Sequence, residues 1–110
     1  MSENPYYSPE KLDLEIFGEL DEPNLDYEYN TLVVWKDKEG QLFYAQDSGC
    51  SCPTPFEGFE YTLGGEPPMD RITKGASFED FSHQVKKFEV PMSEKMELID
   101  KVERFLNKES

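Results

Sequence analysis

Two cysteines one residue apart, in Asp47-Ser48-Gly49-Cys50-Ser51-Cys52-Pro53-Thr54-Pro55-Phe56-Glu57, are the residues of this chain whose types and spacing suit chemistry. Four readings compete for them. A free cysteine packs as a small hydrophobe, and the prolines fix the path of the loop. Two thiolates at this spacing can supply half of a zinc site, with His83, Asp47 and Glu57 as the candidates for the remaining positions. A disulfide across one residue closes a small strained ring, labile rather than structural, in a compartment that keeps thiols reduced. A thiol nucleophile needs a base within hydrogen-bond reach. The chain has a single histidine, His83. At ~100° per helical residue it lies about 200° from Phe81, away from the apolar stripe of its helix. A glycine loop followed by lysine, a serine elbow, an EF-hand loop and a histidine-rich metal motif are all missing from the sequence.

The second chemical feature is charge. The chain has 110 residues and a formal charge of −13, from 24 acids against 11 bases. Nine of the acids and one of the bases fall in residues 1–30. Such a field repels nucleic acid and anionic membrane surfaces and attracts basic partners, including nucleic-acid-binding proteins. Along the segment Lys11–Leu20, alternation places Leu12, Leu14, Ile16 and Leu20 on one face. Asp13, Glu15 and Glu19 fall on the other, with Phe17 breaking the pattern. At ~3.4 Å per residue, acids on alternate positions project about 7 Å apart, near the spacing of every second phosphate along a DNA strand. The competing reading is a solvated edge strand protected from aggregation by its charges.

The elements that must hold these residues are those of one α+β domain spanning 1–110, a common domain size. Residues 1–9, with Pro5 and Pro9 around Tyr6 and Tyr7, read as an extended arm. Tyr27–Trp35 is apolar on both faces in its C-terminal half, as in a central strand covered on both sides. Asp37-Lys38-Glu39-Gly40 reads as a hairpin turn leading to a return strand, Leu42–Gln46. Residues 47–76, broken by nine glycines and prolines, read as a long connection pinned to the core by Phe56, Phe59 and Tyr61. Ser77 opens a first helix with the stripe Phe78, Phe81, Val85 and Phe88. Ser93 opens a second, running to Asn107, with Met96, Ile99, Val102 and Leu106 facing inward. The expected architecture is a three-stranded antiparallel meander packed against two C-terminal helices over residues 77–107. No apolar run reaches the length of a membrane span, and the N-terminus lacks the pattern of a signal peptide, so a cytoplasmic protein is expected.

Tyr6-Tyr7-Ser8-Pro9-Glu10-Lys11, Leu32-Val33-Val34-Trp35-Lys36-Asp37 with Gly40, and the Asp47–Glu57 segment together resemble a family of small acidic proteins. These are encoded by bacteriophages of actinobacteria and related genomes and are classed as a domain of unknown function. The likeness covers roughly residues 6–60, and the cysteine segment is its most specific part. It implies a phage origin and action in the host cytoplasm, and it carries over no activity, cofactor or catalytic residue. By association, small acidic phage proteins often bind and block a host protein.

The leading expectation is therefore a non-enzymatic binding protein, an inhibitor or counter-defence factor. Its partner surface would be built from Asp13, Glu15, Glu19, Asp47, Cys50, Cys52 and Phe56, with no cofactor. A zinc- or thiol-dependent module using Cys50, Cys52 and His83 is the alternative from a different class. A phage assembly protein associating through Tyr6, Tyr7 and Phe17 is another.

Overall fold

The computed structural model describes residues 3–22, 28–50 and 56–109. Its strands are β1 (Leu14–Asp21), β2 (Glu28–Asp37), β3 (Leu42–Cys50) and β4 (Asp70–Ile72), and its helices are α1 (Ala76–Lys86) and α2 (Met92–Glu109). The strands form one antiparallel sheet in the order β1-β2-β3-β4. The α+β class and the meander stand. The meander is longer than expected by one strand, and β3 runs on past Gln46 to Cys50. β4 is three residues long and sits within the stretch read as irregular, too short to leave a periodic signal.

β2 is the centre of the fold. Leu32, Val33, Val34 and Trp35 each have 0 % exposure, which an alternating strand achieves only when both sheet faces are covered. Leu32 and Val34 face the two helices, where they meet Phe81, Val85, Phe88, Leu98 and Val102. Val33 and Trp35 face the opposite way, into a second cluster with Leu12, Leu14, Phe43, Phe56 and Met69. No α-helix covers this second face among the described residues; Leu12 reaches it from a 3-10 helix at Pro9–Leu12. The face is closed by the N-terminal arm, by a 3-10 turn at Glu57–Phe59 and by a backbone bridge between Glu3 and Tyr61.

The β2–β3 hairpin turns where the sequence predicts. The Asp37 carboxylate accepts from the backbone N–H groups of Glu39 at 2.9 Å and Gln41 at 2.8 Å. Gly40 takes φ 81°, a left-handed conformation that suits glycine.

β1 departs from strict alternation. Ile16 pairs with Trp35 and Gly18 with Val34, so Phe17 is an extra residue, a β-bulge. The bulge reverses which side chains face which layer. Leu12 and Leu14 enter the cluster beneath the arm, whereas Leu20 enters the helix-side core. The expectation that Leu12, Leu14, Ile16 and Leu20 share one face is therefore corrected. Phe17 itself turns to α2, its ring edge-on to Phe105 at 5.2 Å. Gly18 lets α2 approach closely, since a Cβ there would lie 2.5 Å from a terminal methyl of Leu98.

Helix boundaries also shift. Gly75, not Ser77, takes the N-cap position of α1; Ser77 lies inside the first turn, where its hydroxyl bonds back to Thr73. α2 begins at Met92, so Ser93 is likewise inside the helix. Phe78, Phe81, Val85 and Phe88 do pack as one stripe. On α2, however, Leu98 is buried and Met96 is 47 % exposed, so the inner face is rotated from the expected one. Lys95 explains part of this: its stem is buried and its ammonium reaches the Lys86 carbonyl at the end of α1, at 2.9 Å. That contact satisfies a helix-terminal carbonyl with a cation.

Deleting Phe17 would restore strict alternation and throw one set of leucines onto the wrong face. The expected result in urea denaturation is loss of a cooperative transition, whereas Phe17→Ala, which keeps the residue count, retains one at a lower midpoint. Equal cooperativity in the two variants would show that the bulge does not set the register.

Candidate functional site

The expected partner surface does not assemble as one face. Asp13 precedes β1, in a left-handed conformation with φ 58°, and its carboxylate lies 3.2 Å from the Lys38 ammonium. Glu15 projects toward the helix side and pairs with Lys36 at 2.9 Å. Glu19, beyond the bulge, projects to the opposite side, where it accepts a 2.6 Å hydrogen bond from the Tyr6 hydroxyl. The row of acids matched to phosphate spacing is corrected on that ground: the bulge divides it and two of its members are paired with lysines.

Phe56 and Asp47 have structural work. Phe56 is 0 % exposed, so it is not a contact surface. Its ring meets Trp35 edge-on at 5.6 Å, Phe59 at 5.3 Å and Tyr6 at 5.3 Å. Its backbone sits at φ 61°, an unusual value for a bulky side chain, and is held at both polar groups. The Phe56 N–H donates to the Asp47 carboxylate at 2.7 Å, and the Phe56 carbonyl accepts from the Asn4 side-chain amide at 2.9 Å. Asn4 also accepts from the N–H of Tyr6 at 2.7 Å, and the buried Trp35 indole N–H donates to the Pro5 carbonyl at 2.9 Å. Arm, central strand and the residue that follows the cysteine segment are thereby tied into one unit. Tyr6 and Phe17 are half-buried within the fold; of the three aromatics read as an assembly surface, Tyr7 is the exposed one, at 54 %.

Cys50 is the last residue of β3, opposite Glu28 in the ladder. Cys52 lies outside the described residues. His83 is exposed on the outer side of α1, as its helical position predicts. Among the described residues, no three histidine, cysteine, aspartate or glutamate side chains gather as a metal site.

What the fold does bring together lies along β1 beyond the bulge. On the helix side, Gly18, Leu20 and Leu98 with Glu94, Glu97 and Lys101 line an open cleft of about 210 Å³. On the other side Glu19 and Asp21 are close neighbours, tied to Tyr6 and to the Thr31 hydroxyl, which donates to Asp21 at 2.7 Å. Burial raises the Glu19 carboxyl above the usual carboxylate range; the Tyr6 hydrogen bond opposes that shift and the neighbouring Asp21 adds to it. The Tyr6 phenol is pushed well up, by burial first and then by the bond to Glu19 and the charges of Glu19 and Asp21. On helical spacing Glu97 reads as an outward i,i+4 partner of Lys101, and Glu94 carries no signal at all, because both sit on an ordinary amphipathic helix. The rotation of α2 that aims them at β1 is set by Lys95 and Leu98, which pattern alone placed differently. No helix is long and apolar enough to cross a membrane among the described residues.

The chain belongs to the family described as domain of unknown function DUF7574, whose model matches residues 3–109. The match takes in both helices, beyond the stretch on which the resemblance rested. No curated protein and no solved structure matches the chain.

Two outcomes test this placement. Phe56→Ala is expected to lower the free energy of unfolding in urea by about 3–5 kcal/mol, the usual loss for a fully buried aromatic; unchanged stability would return Phe56 to the surface. For Glu19, the native carboxyl holds its proton to higher pH than the unfolded one, so the native state gains as pH falls through that interval and loses as pH rises through it. As pH falls from neutral to the ordinary glutamate range, about 4.3, the melting temperature of the wild type is expected to climb relative to that of Glu19→Gln. Parallel curves would show that Glu19 does not titrate in a partly desolvated, like-charged setting.

Proposed function

We propose that this family member is a binding protein rather than an enzyme: an acidic accessory protein of phage origin that occupies a basic surface of a host or phage protein in the host cytoplasm, as an inhibitor or counter-defence factor. The observation that carries the reading is the charge imbalance. With 24 acids and 11 bases, 13 carboxylates would lack a cation even if every base were paired. The bases are not all so used. Lys95 and Lys101 direct their ammonium groups to the backbone carbonyls of Lys86 and Phe17. An excess of this size opposes folding by self-repulsion, and a basic partner relieves it.

The geometry supports a protein partner over a small molecule. Three hollows lined by described residues are open, at about 210, 290 and 380 Å³, and the one beside Asp13 and Glu15 is bordered by the lysines that pair with those two acids. The phage origin and the inhibitory role rest on the resemblance of the Asp47–Glu57 segment and its companions.

The test is capture from an actinobacterial lysate on immobilised protein, eluted with sodium chloride. The expected partner is a basic protein released as ionic strength passes about 0.15 M, where the Debye length is ~8 Å. A partner of neutral or acidic character held undiminished at about 1 M salt, where the Debye length is ~3 Å, would sink the reading.

A further inference from the structure

We propose that the open edge of β1 at Gly18–Asp21 is a docking strip for a short, extended, lysine- and arginine-rich segment of the partner protein, which adds to the sheet as a further strand. This places the contact for the basic partner inferred above and rests on that reading.

The sheet has two edges. On one, three-residue β4 pairs only with Leu42–Tyr44, and past it β3 carries Gln46, bonded to Gln84 of α1, and Asp47, bonded to the Phe56 N–H; on the other, β1 spans eight residues. The first half of β1 is guarded: the bulge at Phe17 breaks the ladder, and the Lys101 ammonium holds the Phe17 carbonyl at 2.6 Å while lying 4.6 Å from the centre of that residue's ring. Beyond the bulge, Gly18–Asp21 pairs with β2 on one side, and its outer side borders the cleft against α2. A strand entering there makes main-chain hydrogen bonds for affinity and offers alternate side chains to the two faces for specificity.

The charges around the strip select the segment. Side chains that follow Gly18 and Leu20 point to the helix side, toward Glu94 and Glu97, with Leu20 and Leu98 as an apolar wall for the stem of a lysine or arginine; Lys101, the one cation among the described residues that line the cleft, is drawn to the Phe17 carbonyl. Side chains that follow Glu19 and Asp21 point to the other side, beside those two carboxylates. Basic residues are therefore favoured on both faces of the incoming strand. The raised Glu19 carboxyl fits this setting, since a cation arriving there offsets its burial and the nearby Asp21 charge. A second copy of the chain is a poor occupant, because β1 against β1 brings like charges into register.

The experiment titrates the ¹⁵N-labelled protein at low salt with a synthetic octapeptide of the repeat Arg-Arg-Val-Val, which places arginine on both faces of an extended strand, and with the same peptide N-methylated at every residue. The expected result is amide shifts confined to Gly18–Asp21 and to Glu94–Lys101, and loss of those shifts with the methylated peptide, which keeps its charge but has no backbone N–H to donate to a ladder on either edge. Glu94→Gln with Glu97→Gln is expected to weaken binding roughly three- to tenfold, the effect of removing two exposed charge contacts. These two positions are on an exposed helix face, and circular dichroism checks that the variant is folded. Equal binding of the methylated peptide, or shifts spread over the acidic surface, would leave the basic-partner reading standing and overturn the strip. Absence of any binding at low salt would remove both. Concentration-dependent dimerisation with shifts at Gly18–Asp21 in the absence of peptide would overturn the choice of occupant.

Discussion

The central strand cannot be satisfied by one layer. Leu32 and Val34 demand cover on one face of β2 while Val33 and Trp35 demand it on the other. Each fully buried side chain of this kind contributes about 1.5–3 kcal/mol of transfer free energy, so an uncovered second face would remove a large part of a domain's net stability. The two helices fill one side. The second side is filled by irregular chain, which carries backbone polar groups into a buried setting and must satisfy them there. That requirement explains the density of side-chain-to-backbone bonds around Asn4, Trp35, Asp47 and Phe56. They are the means by which non-repetitive chain becomes an effective layer. It also explains why Asp47 and Phe56, which flank the cysteine segment, have structural roles: they fix where that segment leaves the sheet and where it rejoins the core.

The same two-sided burial controls the charges. Leucines must enter both layers from β1, and a regular strand delivers only one parity to each face. The bulge at Phe17 changes parity midway, and every acid on the strand follows its neighbours. Asp13 and Glu15 end beside Lys38 and Lys36 at the hairpin end of the sheet. Glu19 and Asp21 end at the other end, where no lysine reaches them among the described residues. Packing thus separates an acid pair neutralised within the fold from an acid pair left charged and crowded.

What the sequence made legible was decided by strength of pattern. The apolar run Thr31–Trp35, the turn at Asp37–Gly40, the stripe on α1 and the pinning of Phe56, Phe59 and Tyr61 all carry signals that involve several residues in agreement, and the structure bears them out. The failures share another character. Phe17 was visible as an irregularity in the alternation, yet a single residue does not reveal that parity has changed for all that follow. β4 has too few residues to show a period. On α2, Met96 and Leu98 are comparably apolar, and the choice between them is made by tertiary contact, through Lys95 reaching Lys86 and Leu98 meeting Gly18. The candidate site was half legible. Glu19 was named for its charge, but its companions Tyr6, Asp21, Glu94 and Glu97 are collected by folding from three separate stretches of chain.

An exposed edge strand is a hazard, and the usual remedies are bulges, charges and capped carbonyls. β1 uses all three, but unequally along its length. Before Gly18 the bulge and Lys101 block pairing with any strand, whatever its composition. After Gly18 carboxylates border the edge on both faces, and charge discriminates where geometry does not. An acidic strand meets like-charged carboxylates there and a neutral one gains no ion pair, whereas a basic one meets counterions. A device that prevents indiscriminate aggregation is, for one class of sequence, an attraction. The strand half that excludes by sterics and the half that excludes by charge therefore differ in what they admit, and only the second can act as a selective surface.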